Sequence, residues 1–184
     1  MIVFESSKVL LEPLNEDEWV NYLVHLNMSN EHYFQYGYED KEELFELIQT
    51  PVEVGIYYTI KKAGTDEMVG YVAITPELEG NPYNNLEFYI FQEYRREGYA
   101  YEAILVMLDE YFSGSLTEKI PCEVIAEALI ENKLSIALLE KLGFAREALG
   151  VSVSLDENNH LSSHRGLRRY VLKYEDFYKR FKKR

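Results

Sequence analysis

One cysteine, Cys122, is all the thiol the chain carries, which excludes an internal disulfide and fits a reducing compartment. Set in the apolar run from Ile120 to Ala128, it is expected to be a small core residue, because nucleophilic thiols sit in electropositive, partly exposed settings. No run of ~18 apolar residues occurs, so no membrane-spanning helix is read. The opening Met1-Ile2-Val3-Phe4-Glu5 lacks the basic region and long apolar stretch of a signal peptide. A cytoplasmic protein without a membrane partner is the expectation. Positive charge is scarce: 19 Lys and Arg stand against 32 Asp and Glu, a formal net charge of -13. A phosphate backbone is held by concentrated basic side chains, so nucleic acid is excluded as a partner. The acidic balance serves solubility or draws a cationic substrate such as an amine, and net charge alone does not choose between them. The last stretch is the exception. Arg165, Arg168, Arg169, Lys173, Lys179, Arg180, Lys182, Lys183 and Arg184 crowd there and read as a solvated tail.

What the chain does have is apolar residues, 47% of 184, enough for one well-buried core. Residues 7–14 read as a strand with Val9 and Leu11 on one face. Asn15-Glu16-Asp17-Glu18 then offers a helix cap and first-turn acids for a helix through Trp19, Tyr22, Leu23 and Leu26. A second helical piece covers 41–48 before Pro51. A β meander follows over 55–62, 68–76 and 85–91, with turns at Ala63-Gly64-Thr65-Asp66 and Gly80-Asn81-Pro82. The period then changes. Ala100, Ala103, Ile104, Met107, Leu108 and Tyr111 follow helical spacing and Gly114 lies just beyond. Residues 120–128 alternate as a strand. A helix over 133–142 is bounded by Asn132 as N-cap and Gly143 as stop, and strands over 150–155 and 166–174 close the chain. The order predicts an α/β fold, one domain over residues 1–184, built on a mixed sheet covered by helices. No spacing motif singles out His25, His32, His160 or His164, and no metal site is read.

The stretch Tyr94-Arg95-Arg96-Glu97-Gly98-Tyr99-Ala100 sets two arginines and a lone glycine between a strand and a helix. Free backbone amides and the positive end of the helix dipole beside arginine make an anion site. It is neither a Walker loop nor a dinucleotide fingerprint. A second run, Asn132 to Phe144, follows the next strand. Together the two resemble the signatures of the GNAT acetyltransferase family. Arg95, Gly98 and Ala100 meet the first, and Asn132, Ser135, Leu138, Gly143 and Phe144 meet the second. The resemblance covers nearly the whole chain, and "LLEKLGF" is similar to the subgroup that acetylates ribosomal-protein N-termini.

The resemblance implies a mostly antiparallel sheet with helices on both faces, and acetyl-CoA as co-substrate. It implies that amides of Arg96, Glu97, Gly98, Tyr99 and Ala100, with the Arg95 side chain, hold the pyrophosphate, and that the strand ending at Phe91 and the strand before Asn132 pair with the pantetheine arm. Many relatives carry a second glycine where Arg96 stands. Many also carry, at the position of Leu139, a tyrosine that protonates the leaving thiolate; in the resembled subgroup the serine matching Ser135 has that role. Asn132 is assigned to the cofactor arm as well as to the cap. Relatives often place a glutamate base where Asn85 stands; here Glu87, two residues on, Glu127 or a water relay is the candidate. The acceptor is a small-molecule amine or a protein N-terminus, and the protein a monomer or homodimer. Two other classes stay open: a GNAT-like acyl-CoA-binding module without turnover, and a plain α/β interaction domain that would not respond to CoA.

Overall fold

The computed structural model describes residues 3–15, 17–18, 55–76, 83–117, 120–155 and 161–182, and the chain divides into two compact units, residues 1–120 and 121–184. In the first unit five strands run in chain order, each antiparallel to the next. They are β1 (Phe4–Glu5), β2 (Val9–Pro13), β3 (Ile56–Lys62), β4 (Met68–Pro76) and β5 (Tyr83–Ile90). The turn between β1 and β2 is closed by Ser6, whose Oγ accepts from the amides of Lys8 and Val9, both at 3.2 Å. After β5 a single 3₁₀ turn, Gln92–Tyr94, leads through the arginine loop into helix α1 (Tyr99–Ser113).

The apolar spacing of α1 buries Tyr99, Ala103, Ile104, Met107, Leu108, Tyr111 and Phe112 against strands β2 to β5. Each such large side chain taken from water contributes about 1.5–3 kcal/mol. A separate cluster of Leu14, Tyr71, Ala73, Tyr89 and Phe91 is possible because Tyr71 and Tyr89 stand opposite each other in the β4–β5 register. Those two strands approach so closely at Gly70 that a Cβ there would lie 2.0 Å from the Tyr89 carbonyl oxygen. Only glycine permits that approach.

The second unit holds β6 (Glu123–Leu129), helix α2 (Lys133–Leu142), β7 (Ala145–Leu155), β8 (Leu161–Lys173) and helix α3 (Tyr174–Phe181). Strand β8 is antiparallel to both β6 and β7. Helix α2 has the bounds the sequence predicts. The Asn132 side chain accepts from the Ser135 amide at 3.2 Å, and Gly143 closes the helix at φ 96.

The basic tail is a correction. Arg165, Arg168, Arg169 and Lys173 belong to β8 and Lys179 and Arg180 to α3, where Phe177 is 1% exposed and Arg180 Nη2 donates to the Lys141 carbonyl at 2.9 Å; Lys183 and Arg184 lie outside the described residues. Tyr170, Leu172 and Phe177 supply the apolar side that anchors this end. Cys122 is a second correction. It is exposed, because β6 begins only at Glu123 and burial starts at Val124. The helices expected over 15–26 and 41–48 lie outside the described residues except at Asp17 and Glu18, which are helical. There Asn15 Oδ1 accepts from the Glu18 amide at 2.9 Å, as a cap should. His25, His32 and His160 lie outside the described residues, as does the His164 side chain. No helix among the described residues is long and apolar enough to cross a membrane.

Candidate active site

In the first unit the loop from Arg95 to Gly98 turns the chain between β5 and α1 through two left-handed residues. Gly98, the N-cap of α1, has φ 88, and Arg96, where a glycine is common among relatives, has φ 65. That conformation costs a non-glycine residue about 1–2 kcal/mol, so the backbone keeps a glycine-type shape although the side chain is arginine. Among the described residues, no acceptor takes the amides of Arg96, Glu97, Gly98, Tyr99 and Ala100. A Cβ on Gly98 would meet only Lys8 Nζ, at 3.7 Å. Open space before unmatched amides at a helix N-terminus fits a diphosphate.

The side chains around the loop are placed less evenly. Arg95 folds back: its Nε donates to the Ile90 carbonyl at 2.8 Å, and its guanidinium lies over the Tyr89 ring, 5.2 Å from the centroid. Arg96 and Glu97 are exposed and Tyr99 is buried. Phe91 is 3% exposed and its backbone is engaged within the unit. Its amide donates to Val69 O at 2.9 Å and its carbonyl accepts from the Tyr94 amide at 3.0 Å. A residue that sequence reasoning missed, Lys8, donates from Nζ to the Glu97 carbonyl and lies over the Tyr99 ring at 5.1 Å. It is 89 positions away, and no local signal links it to the loop.

Glu87 does not lie on a solvated face. Strand alternation puts it on the same face as Asn85, and the β4–β5 register puts Thr75 opposite Asn85. Thr75 Oγ1 donates to Glu87 Oε1 at 2.8 Å and Asn85 Nδ2 donates to the same oxygen at 3.3 Å. Burial pushes the Glu87 carboxyl above the usual carboxylate range, and the Thr75 and Asn85 bonds pull back more weakly. Both bonds fall on Oε1. No described residue bonds Oε2, so that oxygen is open to a proton. Thr75 as the holder of Glu87 was not legible in sequence, since it lies on another strand.

In the second unit Asn132 caps α2 and Ser135 stands in its first turn. The Ser135 hydroxyl takes no partner among the described residues. Leu139, where relatives carry tyrosine, is 1% exposed and part of the core. Glu127 is exposed and faces Arg169, Oε1 to Nη1 3.9 Å.

A sheet of antiparallel strands with a run of unmatched amides at a helix N-terminus makes this an α/β protein with a place for an anionic ligand. Residues 8–145 match the model of the acetyltransferase (GNAT) domain, and the chain belongs to that family. It is therefore an enzyme of the N-acetyltransferase class. No curated protein matches the sequence significantly. Solved structures share the mixed, mostly antiparallel fold. A GNAT-family acetyltransferase from Bacillus anthracis superposes with a TM-score of 0.73 at 18% identity, covering 95% of this chain and 99% of the other. A chimeric spermidine N-acetyltransferase from Vibrio cholerae gives 0.72 at 19%, covering 94% and 98%. RimL, a ribosomal L7/L12 α-N-protein acetyltransferase in complex with coenzyme A, gives 0.69 at 15%, covering 94% and 98%.

Proposed function

We propose that the chain transfers the acetyl group of acetyl-CoA directly to a primary amine, on a small molecule or a protein N-terminus, and that residues 1–184 act as one domain in the cytoplasm, as a monomer or homodimer. The observation that carries the reading is the run of acceptor-free amides from Arg96 to Ala100, held by two left-handed residues at the head of α1. The pyrophosphate takes those amides, with Arg95 and Arg96 adding charge. Asn132 binds the cofactor arm while it caps α2.

The acceptor nitrogen attacks the thioester carbon as a neutral amine. Its surplus proton passes to Glu87, directly or through one water, as the C–N bond forms. The C–S bond then breaks, and the thiolate takes a proton from Ser135, whose hydroxyl is restored by a proton from solvent. A base must be poised near the working pH, and burial moves Glu87 in that direction. Glu127, exposed and facing Arg169, ranks behind it. Family matches spanning residues 8–145 support one domain, since they cross residue 120.

The direct test is release of CoA from acetyl-CoA with a panel of polyamines, other small amines and peptides with free N-termini. Turnover with one acceptor class is the expected result. CoA binding without turnover across the whole panel would replace the reading with a binding module, and no CoA-induced thermal shift would remove both.

A further inference from the structure

We propose that Lys8, from the turn between β1 and β2, is a cofactor-binding residue that supplies cationic charge to the diphosphate of acetyl-CoA. The inference rests on the pyrophosphate reading of the Arg95–Ala100 loop given above and adds to it a residue from a distant part of the chain. Three placements carry it.

Lys8 is held at its backbone on both sides. Its amide donates to Ser6 Oγ at 3.2 Å, and its carbonyl accepts from the Ala63 amide at 3.0 Å. Its Nζ lies over Tyr99, the first residue of α1, 5.1 Å from that ring centroid. Nζ donates to the Glu97 carbonyl and is the nearest atom to the space a Gly98 side chain would fill, at 3.7 Å. An ammonium has three donors; one is committed to Glu97, and the others stand at the rim of the amide cradle.

The loop has need of that charge. Arg95 commits Nε to Ile90 O and lays its guanidinium over Tyr89. Against the exposed Arg96 stand acidic Glu93 in the 3₁₀ turn and Glu97 in the loop, and the chain as a whole carries -13. A diphosphate entering such a field meets repulsion unless a fixed cation stands beside the amides. A lysine with an anchored backbone and an ammonium already held at Glu97 and over Tyr99 has less rotamer freedom left to lose on binding than a free surface lysine.

The test is calorimetric titration of the full chain with CoA and with 3′-dephospho-CoA, for wild type, Lys8→Met, Lys8→Arg and Gly98→Asp. Lys8→Met keeps an apolar side chain of similar length and removes the charge. The expected result is an affinity about 10-fold lower for both ligands, the scale of one charge-assisted hydrogen bond, with Lys8→Arg near wild type. The salt dependence of binding should also be shallower in Lys8→Met. Loss with CoA alone and none with the dephospho form would place Lys8 at the 3′-phosphate and overturn the diphosphate assignment. Unchanged affinity for both, with a lowered melting temperature in the absence of ligand, would make Lys8 a strut between hairpin and helix only. Gly98→Asp separates the two layers of argument. If it binds CoA like wild type, the loop reading itself fails; if it loses CoA while Lys8→Met does not, only the lysine assignment falls.

Discussion

A single carboxyl group shows how far the chemistry depends on position. Glu87 is raised because its surroundings withhold water, and Thr75 and Asn85 moderate that shift through one oxygen. A carboxyl whose folded pKa lies above its unfolded value binds its proton more tightly in the folded state. The stability it lends is full below the unfolded value and is lost as pH rises through the folded one. Glu87→Gln should therefore flatten the melting temperature between the ordinary carboxylate range and the raised value, where wild type loses stability. In kinetics the same group should produce a rising limb of kcat/KM as it deprotonates. Glu87→Gln should remove that limb and slow turnover by about 100-fold or more; an intact limb would move the base elsewhere. Ser135 belongs to the same scale. With its hydroxyl unpartnered among the described residues and Leu139 in place of a phenol, Ser135→Ala should lower kcat by about 10- to 1000-fold and leave CoA affinity nearly intact, because the role acts in the transition state. Wild-type turnover under rate-limiting chemistry would reduce the serine to a helix hydroxyl.

At the scale of elements, the close approach of β4 and β5 makes a stability prediction. Gly70→Ala sets a Cβ 2.0 Å from the Tyr89 carbonyl, so strand separation or backbone shift must follow. A cost of about 1–3 kcal/mol is expected, read as a lower denaturant midpoint. Asn132→Ser should keep stability, since serine caps nearly as well. It should lose CoA affinity if the amide also binds the cofactor arm; equal affinities would leave the cap alone. Helix α2 was legible because both its ends are written locally, by an Asn side chain that reaches its own third residue and by a glycine at φ 96. Helix α1 was legible by apolar spacing and the bend by Gly98. Strand β1, two residues long, has no pattern to read. Helix α3 was hidden by its charges, since Phe177 is its one fully buried residue. Thr75 depends on the pairing of two strands and Lys8 on the meeting of a turn with a loop 89 positions away, neither of which a one-dimensional reading contains. Cys122 was misplaced because the strand expected from 120 begins at Glu123, three residues later, which leaves the side chain in solvent rather than in the core.

For the molecule as a whole, the acidic excess has a measurable consequence. A surface at -13 concentrates cations near it and repels anions, and salt screens both effects within about 10 Å at 0.1 M. If the acceptor is a polycation, its KM should rise with ionic strength while kcat holds. A KM indifferent to salt would assign the charge to solubility. The same field opposes acetyl-CoA, so the fixed cations at the loop matter more here than they would on a neutral protein.

The exposed thiol at the bend before β6 bears on how this enzyme can be assayed. Cys122 is the only cysteine in the chain and it faces solvent. A colorimetric disulfide reagent that counts the sulfhydryl freed from acetyl-CoA will therefore also count the protein, one equivalent per chain before any substrate is added. The dye will leave a mixed disulfide on Cys122, and enzyme at substrate-like concentration will mimic a burst. A Cys122→Ser protein removes that background. The same uniqueness makes position 122 a single attachment point for a maleimide fluorophore.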